Sequence, residues 1–358
     1  MRSKRVLAAM SGGVDSSVAA AILKEAGYEV IGATMKVWPK ELCGREKQKA
    51  CCSLKDIEDA RKVSGILGIK HYVLNFEADF RKNVINYFTD EYLSARTPNP
   101  CIVCNEKIKF GSLLKKAEDL DCDFIATGHY ARIETNGSVR LRESIDKAKD
   151  QSYVLFSLKQ NQLKKILFPI GELTKSEVRR KARELGLSIC DKPDSQEICF
   201  VPDNNYSDFI KKYRNIVPQK GSIIDVSGKA LGQHMGFWNF TIGQRRGLGI
   251  AAKAPLYVIE IRPKQNVIVV GNAKDVKKKK FLVKKVNWLV KDLEKEKELE
   301  VKIRYNHKRA AASVKDLGGD KAEIDFKEPQ DAITPGQAAV FYDGEYVVGG
   351  GWIDRVEG

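Results

Sequence analysis

No stretch of this 358-residue sequence approaches the ~18 consecutive apolar residues that a membrane-spanning helix needs, so no span is predicted. A leader is also missing: Met1–Arg5 is basic but passes at once into working sequence, which predicts a cytoplasmic protein. There is no internal repeat and no long low-complexity tract. Cysteine is too sparse for a secreted disulfide framework, with eight in the whole chain; in a reducing compartment such thiols are buried, metal-binding or catalytic. Acidic residues are in deficit, 47 against 62 Lys and Arg, and the net charge of +15 suits a polyanionic partner such as nucleic acid. Charge alone leaves simple solubility as an equal explanation.

What is present reads as α/β. A hydrophobic content of 43% is ample for several cores, and the length suggests two or three domains. Apolar runs at Arg5–Ala9, Glu29–Met35, Lys70–Asn75 and Asp123–Thr127 alternate with helical spacing at Ser16–Ala26, Asp56–Leu67, Phe80–Leu93 and Glu106–Leu120. This order predicts a doubly wound parallel sheet covered on both faces, with ligands at the carboxyl ends of its strands. A hairpin turns at Thr135–Ser138, and Thr174-Lys-Ser-Glu177 is a capping box that opens a helix. From about Gly221 the chain becomes strand-like. Short strands with turn signals from Phe281 to Asp354 predict a small antiparallel barrel. The expected domains are 1–203, a central domain 204–276 and a C-terminal β-barrel 277–358, with Lys277–Lys280 at the last boundary.

The loop Ser11-Gly-Gly-Val-Asp-Ser-Ser17 lies between a buried strand and a helix. Two glycines let the backbone turn tightly, and the N–H groups of Gly12 and Gly13 then face an anion together with the helix N-terminus. Ser11, Ser16 and Ser17 carry hydroxyl donors for phosphate. Asp15 is out of place beside phosphate unless a cation such as Mg²⁺ lies between them. The Gly-Lys-Ser/Thr ending of the Walker loop is absent, and so is G-x-G-x-x-G. The motif resembles the PP-loop of ATP pyrophosphatases, which cleave ATP between the α and β phosphates.

Adenylation alone leaves the product open, and the cysteines narrow it. Thr97-Pro-Asn-Pro-Cys101-Ile-Val-Cys104 places Cys104 at or near a helix start, where the dipole and Lys107 would favour thiolate. Asp194-Ser-Gln-Glu-Ile-Cys199-Phe200 offers a second cysteine in a polar loop.

With these stretches the chain resembles the tRNA-specific 2-thiouridylases. The matching motifs include the PP-loop, Cys104-Asn-x-x-Ile-Lys-Phe110, Ala126-Thr-Gly-His-Tyr-Ala131, Lys149-Asp-Gln-Ser-Tyr153, Asp194–Phe200 and Gly243-Gln-Arg-Arg-Gly-Leu248, followed by Arg304-Tyr305 and Pro335-Gly-Gln337. They run in order along nearly the whole chain. The resemblance implies an adenine nucleotide α-hydrolase-like N-terminal domain, ATP and Mg²⁺ as cofactors, and ATP-dependent 2-thiolation of the wobble uridine of tRNA. It implies Cys199 as persulfide carrier, Cys104 as nucleophile, and a transient Cys104–Cys199 disulfide. ATP contacts carry over to Ala9, Met10, Ser11, Gly12, Gly13, Val14, Asp15, Ser16, Met35 and Gly128. The target-base loop carries over to Asn99, Pro100 and Cys101. Further tRNA contacts carry over to His129, Lys149, Asp150, Gln151, Arg304, Tyr305 and Gln337. Partners would be tRNA of the glutamate, glutamine and lysine acceptors and a persulfide donor, either a cysteine desulfurase or a relay protein. A monomer is the default.

Cys101 departs from the aspartate that some family members carry there. With Cys104 and Cys199 it would give three thiolates for an iron–sulfur cluster, one short of the usual four. Cys43 with Cys51 and Cys52 forms a second group, open between zinc or redox chemistry and incidental thiols, while Cys122 and Cys190 read as core. Two other classes compete with a tRNA sulfurtransferase. A PP-loop ligase for a small molecule would not require Cys104 and Cys199, and a non-catalytic RNA-binding module would not explain an intact ATP loop with Asp15.

Overall fold

The computed structural model describes residues 3–37, 54–194, 198–201, 204–290 and 294–357. Cys43, Cys51 and Cys52, and Ser195–Glu197 of the second cysteine motif, lie outside them. The chain divides into two compact units, one of residues 1–85, 100–204 and 345–347, the other of 86–99, 205–344 and 348–358.

In the first unit, strands β1 (Arg5–Ala9), β2 (Glu29–Lys36), β3 (Lys70–Asn75), β4 (Phe124–Ala126) and β7 (Ile166–Leu167) form a five-stranded sheet in the order β3-β2-β1-β4-β7. Every pairing is parallel, with Val6 beside both Val30 and Phe124. The central strand needs no alternation because both faces are covered: Val6, Leu7 and Ala8 are all buried. Helices α1 (Val14–Glu25), α2 (Leu54–Leu67) and α3 (Lys175–Glu184) supply Val18, Ala21, Ala60, Val63, Val178 and Ala182 to the core that includes Val6 and Ala8. Small alanines let these elements approach closely. Strands β5 (Ala131–Glu134) and β6 (Arg140–Glu143) make the expected hairpin.

Two predicted helices are not regular. The run expected over Phe80–Leu93 is an α-turn at Glu77–Phe80, a π-helical turn at Arg81–Ile85 and an α-helix at Asn86–Leu93, and the division between the units falls after Ile85. The run expected from Glu106 starts earlier, at Pro100–Val103, widens into a π-helix over Cys104–Ser112 and returns to α at Leu113–Asp119. Each wide turn rotates the buried stripe by one residue, a shift that period-3.6 spacing cannot reveal.

The second unit holds a four-stranded sheet, β10 (Tyr257–Arg262), β11 (Val267–Gly271), β8 (Gly221–Asp225) and β9 (Ala230–His234), in that order. Its other sheet is an antiparallel barrel. β12 (Lys277–Trp288), β15 (Lys321–Asp331), β14 (Ala310–Gly318), β13 (Glu296–Lys302), β16 (Ala338–Asp343) and β17 (Tyr346–Val356) follow one another, and β12 closes on β17. Phe281, Val301, Val314, Ile324, Phe341 and Ile353 fill its interior by period-2 alternation. Fully closed strands leave no free edge. An aromatic group joins the Asn86–Leu93 helix to this unit, with Tyr92 stacked on Tyr206 at 4.6 Å and Phe88 edge-on to Phe209 at 6.3 Å.

Candidate active site

The glycine loop sits at the carboxyl end of β1. Gly12 has φ +71°, and a Cβ there would lie 2.2 Å from the Asp56 carbonyl oxygen, so both conformation and space demand glycine. Gly13 is the extended N-cap of α1, and no side chain caps the helix. The first-turn N–H groups therefore lack the side-chain acceptor that usually satisfies them, which is what an anion site requires. Gly128, at the end of β4, closes the other side: a Cβ there would meet the Ser16 nitrogen at 2.6 Å. The serines mostly build the loop. Ser16 and Ser17 donate their hydroxyls to the Gly13 carbonyl at 3.1 and 2.9 Å, and Ser17 is fully buried. Ser11 donates its N–H to Ser16 Oγ at 3.1 Å. Met10 is buried, its carbonyl accepting from Thr34 Oγ1 at 2.7 Å, while Met35 is half-buried near the carboxyl end of β2.

Lysines surround this loop. Lys192 Nζ donates to the Gly12 carbonyl at 2.8 Å, Asp56 Oδ1 at 2.7 Å and Asp59 Oδ2 at 2.8 Å. Burial disfavours its charge, but the hydrogen bonds to Asp56 and Asp59 outweigh that and hold its pKa above the ordinary lysine value. Lys175, the first residue of α3, reaches both Asp15 oxygens at 2.7 and 2.8 Å and Asp194 Oδ1 at 2.7 Å. The predicted capping box sets that position, with Glu177 accepting from the Thr174 N–H at 2.7 Å. Tyr130 donates its hydroxyl to Asp15 Oδ1 at 2.8 Å. Burial, then the Asp15 charge, push its pKa far up, so it remains a donor. Asp194 also accepts from Lys149 at 2.7 Å and lies 3.4 Å from Arg179. Burial raises the Asp194 carboxyl, but hydrogen bonds from Lys149 and Lys175 bring it below the ordinary range.

Lys175 thus fills the place given to a cation beside Asp15. Both carboxylate oxygens are taken, and among the described residues no group of three or more His, Cys, Asp or Glu side chains is arranged to hold a metal ion. The side chains present do not fit a protein-held Mg²⁺ at Asp15. An iron–sulfur cluster on Cys101, Cys104 and Cys199 gains no support either.

The other expected contacts divide sharply. His129 is buried between Phe110 and Phe168, each ring 5.9 Å away, and burial followed by the Lys109 charge lowers its pKa well below the ordinary value. Lys109 can only donate to Nε2 at 3.5 Å, so Nδ1–H donates to Thr127 Oγ1 at 2.7 Å. Asp150 is buried and accepts from the Ser144 N–H at 3.0 Å and the Ser152 hydroxyl at 2.7 Å. Gln151 Oε1 accepts from the Tyr130 N–H at 3.0 Å. These residues brace the Gly128–Tyr130 turn. In the second unit, Gln337 Nε2 donates to the Thr97 and Pro98 carbonyls at 2.9 and 3.2 Å, and the Pro335 carbonyl accepts from the Thr97 N–H at 2.9 Å. The chain leading into Asn99 is held in this way. Tyr305 is exposed in the β13–β14 loop beside half-buried Arg304, and the Lys302 ammonium lies 5.5 Å from its ring centre.

Cys101 is exposed, whereas Cys104 and Cys199 are half-buried. Since the helical run begins at Pro100, Cys104 lies a turn inside it, and the helix-start argument for thiolate loses its basis because the dipole acts within the first turn. Lys107 pairs with Glu106 at 2.6 Å. The Glu77–Phe80 turn supports both cysteine segments: Asp79 accepts from Ser112 Oγ at 2.7 Å, and Phe80 meets Phe200 edge-on at 5.6 Å. The sequence reading gave no role to Tyr130, Lys175 or Lys192. The one signal for a lysine was Asp15 itself, which needs a cation.

Comparison with known proteins follows this geometry. Residues 4–203 match the family described as the tRNA methyl transferase HUP domain, residues 207–272 its PRC-barrel domain, and residues 278–353 an aminomethyltransferase beta-barrel domain. The chain is 51% identical to a protein of Carboxydothermus hydrogenoformans over 358 residues, covering 98% of each. It is 49% identical to one of Lachnoclostridium phytofermentans, covering 98% of this chain and 99% of that one. It is 48% identical to one of Clostridioides difficile, covering 99% of each. All three relatives are named tRNA-specific 2-thiouridylase MnmA.

Proposed function

The chain belongs to the family of tRNA-specific 2-thiouridylases, enzymes that thiolate a uridine of tRNA, and from that premise we propose how its own residues do so. The uncapped start of α1, bounded by Gly12, Gly13 and Gly128, receives the ATP phosphates on its backbone N–H groups. This is the observation that carries the reading, because no Cβ could be added at Gly12 or Gly128 without meeting backbone. The C2 oxygen of the wobble uridine attacks the α-phosphorus, forming an O–P bond and breaking the α–β bridge, so pyrophosphate leaves. Lys175 and the α1 N-terminus offset the charge that develops there. The uridine then carries AMP on O2, a far better leaving group than an oxide.

The terminal sulfur of a persulfide on Cys199 attacks C2 and AMP departs with the old oxygen, leaving the base joined to Cys199 through two sulfurs. The Cys104 thiolate attacks the Cys199 sulfur and breaks that S–S bond. The pair of electrons stays on the base sulfur as 2-thiouridine, and a Cys104–Cys199 disulfide forms. An external dithiol reduces it, and a cysteine desulfurase or relay protein reloads Cys199. Asn99, Pro100 and Cys101 would frame the target base. Arg304 and Tyr305 would take backbone phosphate and a sugar or base face, while Gln337, Lys149, Asp150, Gln151 and His129 act by holding the loops beneath. The substrates in this reading are tRNAs of the glutamate, glutamine and lysine acceptors, and the enzyme acts as a monomer of three domains in the cytoplasm.

Mass spectrometry of tRNA incubated with the protein, ATP, Mg²⁺ and a persulfide donor tests it. The wobble uridine should gain one sulfur. C199S should abolish that gain while ATP binding persists; thiolation undiminished in C199S would overturn the assigned route.

A further inference from the structure

The segment that leads to Cys199 is tied to the phosphate loop at two points. Lys192 donates to the Gly12 carbonyl, and Lys175 stands between Asp15 in the loop and Asp194, 2.7 Å from each. Cys199 is thus flanked by Asp194 on one side and by Phe200, seated edge-on against Phe80, on the other. The ammonium of Lys175 is largely buried, with its side chain 12% exposed, so its two ion pairs are little screened by solvent.

A polyphosphate entering the loop brings several negative charges to the α1 N-terminus beside Asp15. Phosphate oxygens then compete with Asp15 and Asp194 for Lys175, and charge-assisted bonds to phosphate are strong. Any movement of Nζ toward phosphate weakens its bond to Asp194, which retains Lys149 and Arg179 as alternative partners. Asp194 therefore has two arrangements, one shared with the loop and one held by Lys149 and Arg179, and phosphate binds them with unequal affinity. That inequality is what a ligand needs to shift a conformation.

We propose that Lys175 is a positioning residue that couples occupancy of the ATP loop to the placement of Cys199, acting through Asp194. In the reaction this would admit the sulfur carrier to the base only when nucleotide is in place, so that persulfide is not spent on unactivated uridine. The inference rests on the reading of the glycine loop as an ATP site.

The experiment uses the full-length chain without tRNA, so that bound ATP is not consumed. ATP affinity is measured by equilibrium dialysis. The rate of Cys199 alkylation by iodoacetamide is read by peptide mass spectrometry with and without saturating ATP, using exposed Cys101 as the internal reference. In the wild type, ATP should change the Cys199 rate relative to Cys101 by at least about fivefold, the lower end of ordinary coupling between sites. D194N should bind ATP within about threefold of wild type yet lose the response, since Asp194 is the link rather than the phosphate ligand. K175Q should weaken ATP binding about tenfold and lose the response, and K175R should restore both in part. A purely structural role would lower the melting temperature of the variants but leave the ATP response intact wherever ATP still binds. Bound ATP with an unchanged Cys199 rate in wild type, or a full response in D194N, overturns the coupling alone. Absence of ATP binding by wild type overturns the ATP site as well.

Discussion

Replacing Lys192 by methionine isolates what the loop owes to its brace. The substitution keeps most of the stem and removes an ammonium bonded to the Gly12 carbonyl, Asp56 and Asp59. Losing one partner of a buried ion pair costs ~3–5 kcal/mol, whereas exposed pairs are worth under ~1. The Lys192 side chain is 27% exposed and both aspartates 13%, which places the expected loss at about 2 kcal/mol. For a unit of this size that lowers Tm by roughly 4–8 °C. ATP affinity should fall about tenfold, because the carbonyl freed belongs to the residue whose left-handed φ shapes the cradle. The cost arises from two carboxylates left facing each other, so adding D59N to K192M should recover about 1 kcal/mol. The pH dependence has a definite sign. The folded pKa of Lys192 is raised, so its contribution is complete below the ordinary 10.5 and is lost only as pH climbs through the folded value. The deficit of K192M should therefore be flat across neutral pH. Thermal melts and equilibrium dialysis on the single and double variants decide it. A K192M protein within about 0.5 kcal/mol of wild type and with unaltered ATP affinity would refute the brace.

Gly128→Ala should cost at least about a hundredfold in ATP-dependent thiolation, because its Cβ would meet the Ser16 nitrogen at 2.6 Å; steady-state kinetics with normal turnover would remove Gly128 from the site. His129 is neutral when folded, so stability should be full above the ordinary 6.5 and decline as pH falls below it, where the unfolded ring alone takes a proton. A ring resonance of His129 titrating near 6.5 in the native protein would contradict that burial. Gln337→Ala removes the bonds to the Thr97 and Pro98 carbonyls and should lower tRNA thiolation roughly tenfold while leaving ATP affinity unchanged, and equal losses in both would refute a local role.

The parallel sheet was legible because its strands are near-continuous apolar runs and its loop carries an unusual glycine pair. The capping box at Thr174 was equally legible, since both of its reciprocal bonds are local. The π-turns were not. Arg81–Ile85 and Cys104–Ser112 keep an apolar stripe that fits a regular helix almost as well, and only packing reveals the extra residue per turn. That error matters chemically, because it removed the helix-start explanation for Cys104.

The site was legible where function is carried by the backbone and obscure where it is carried by distant side chains. Gly12, Gly13 and Gly128 announce themselves because few other reasons require glycine at a strand–helix junction. Lys175 and Lys192 meet the loop from positions far along the chain, and either could pass for an ordinary solvated charge on a basic protein. Asp15 was the clue. A carboxylate placed beside a phosphate cradle needs positive charge nearby, and the sequence reading supplied it with a metal because no lysine lies close in sequence. The structure supplies lysine, and by choosing one that also holds Asp194 it links the loop that binds nucleotide to the segment that ends in Cys199. A bound metal at Asp15 would neutralise the same charge, but it would not by itself make that link.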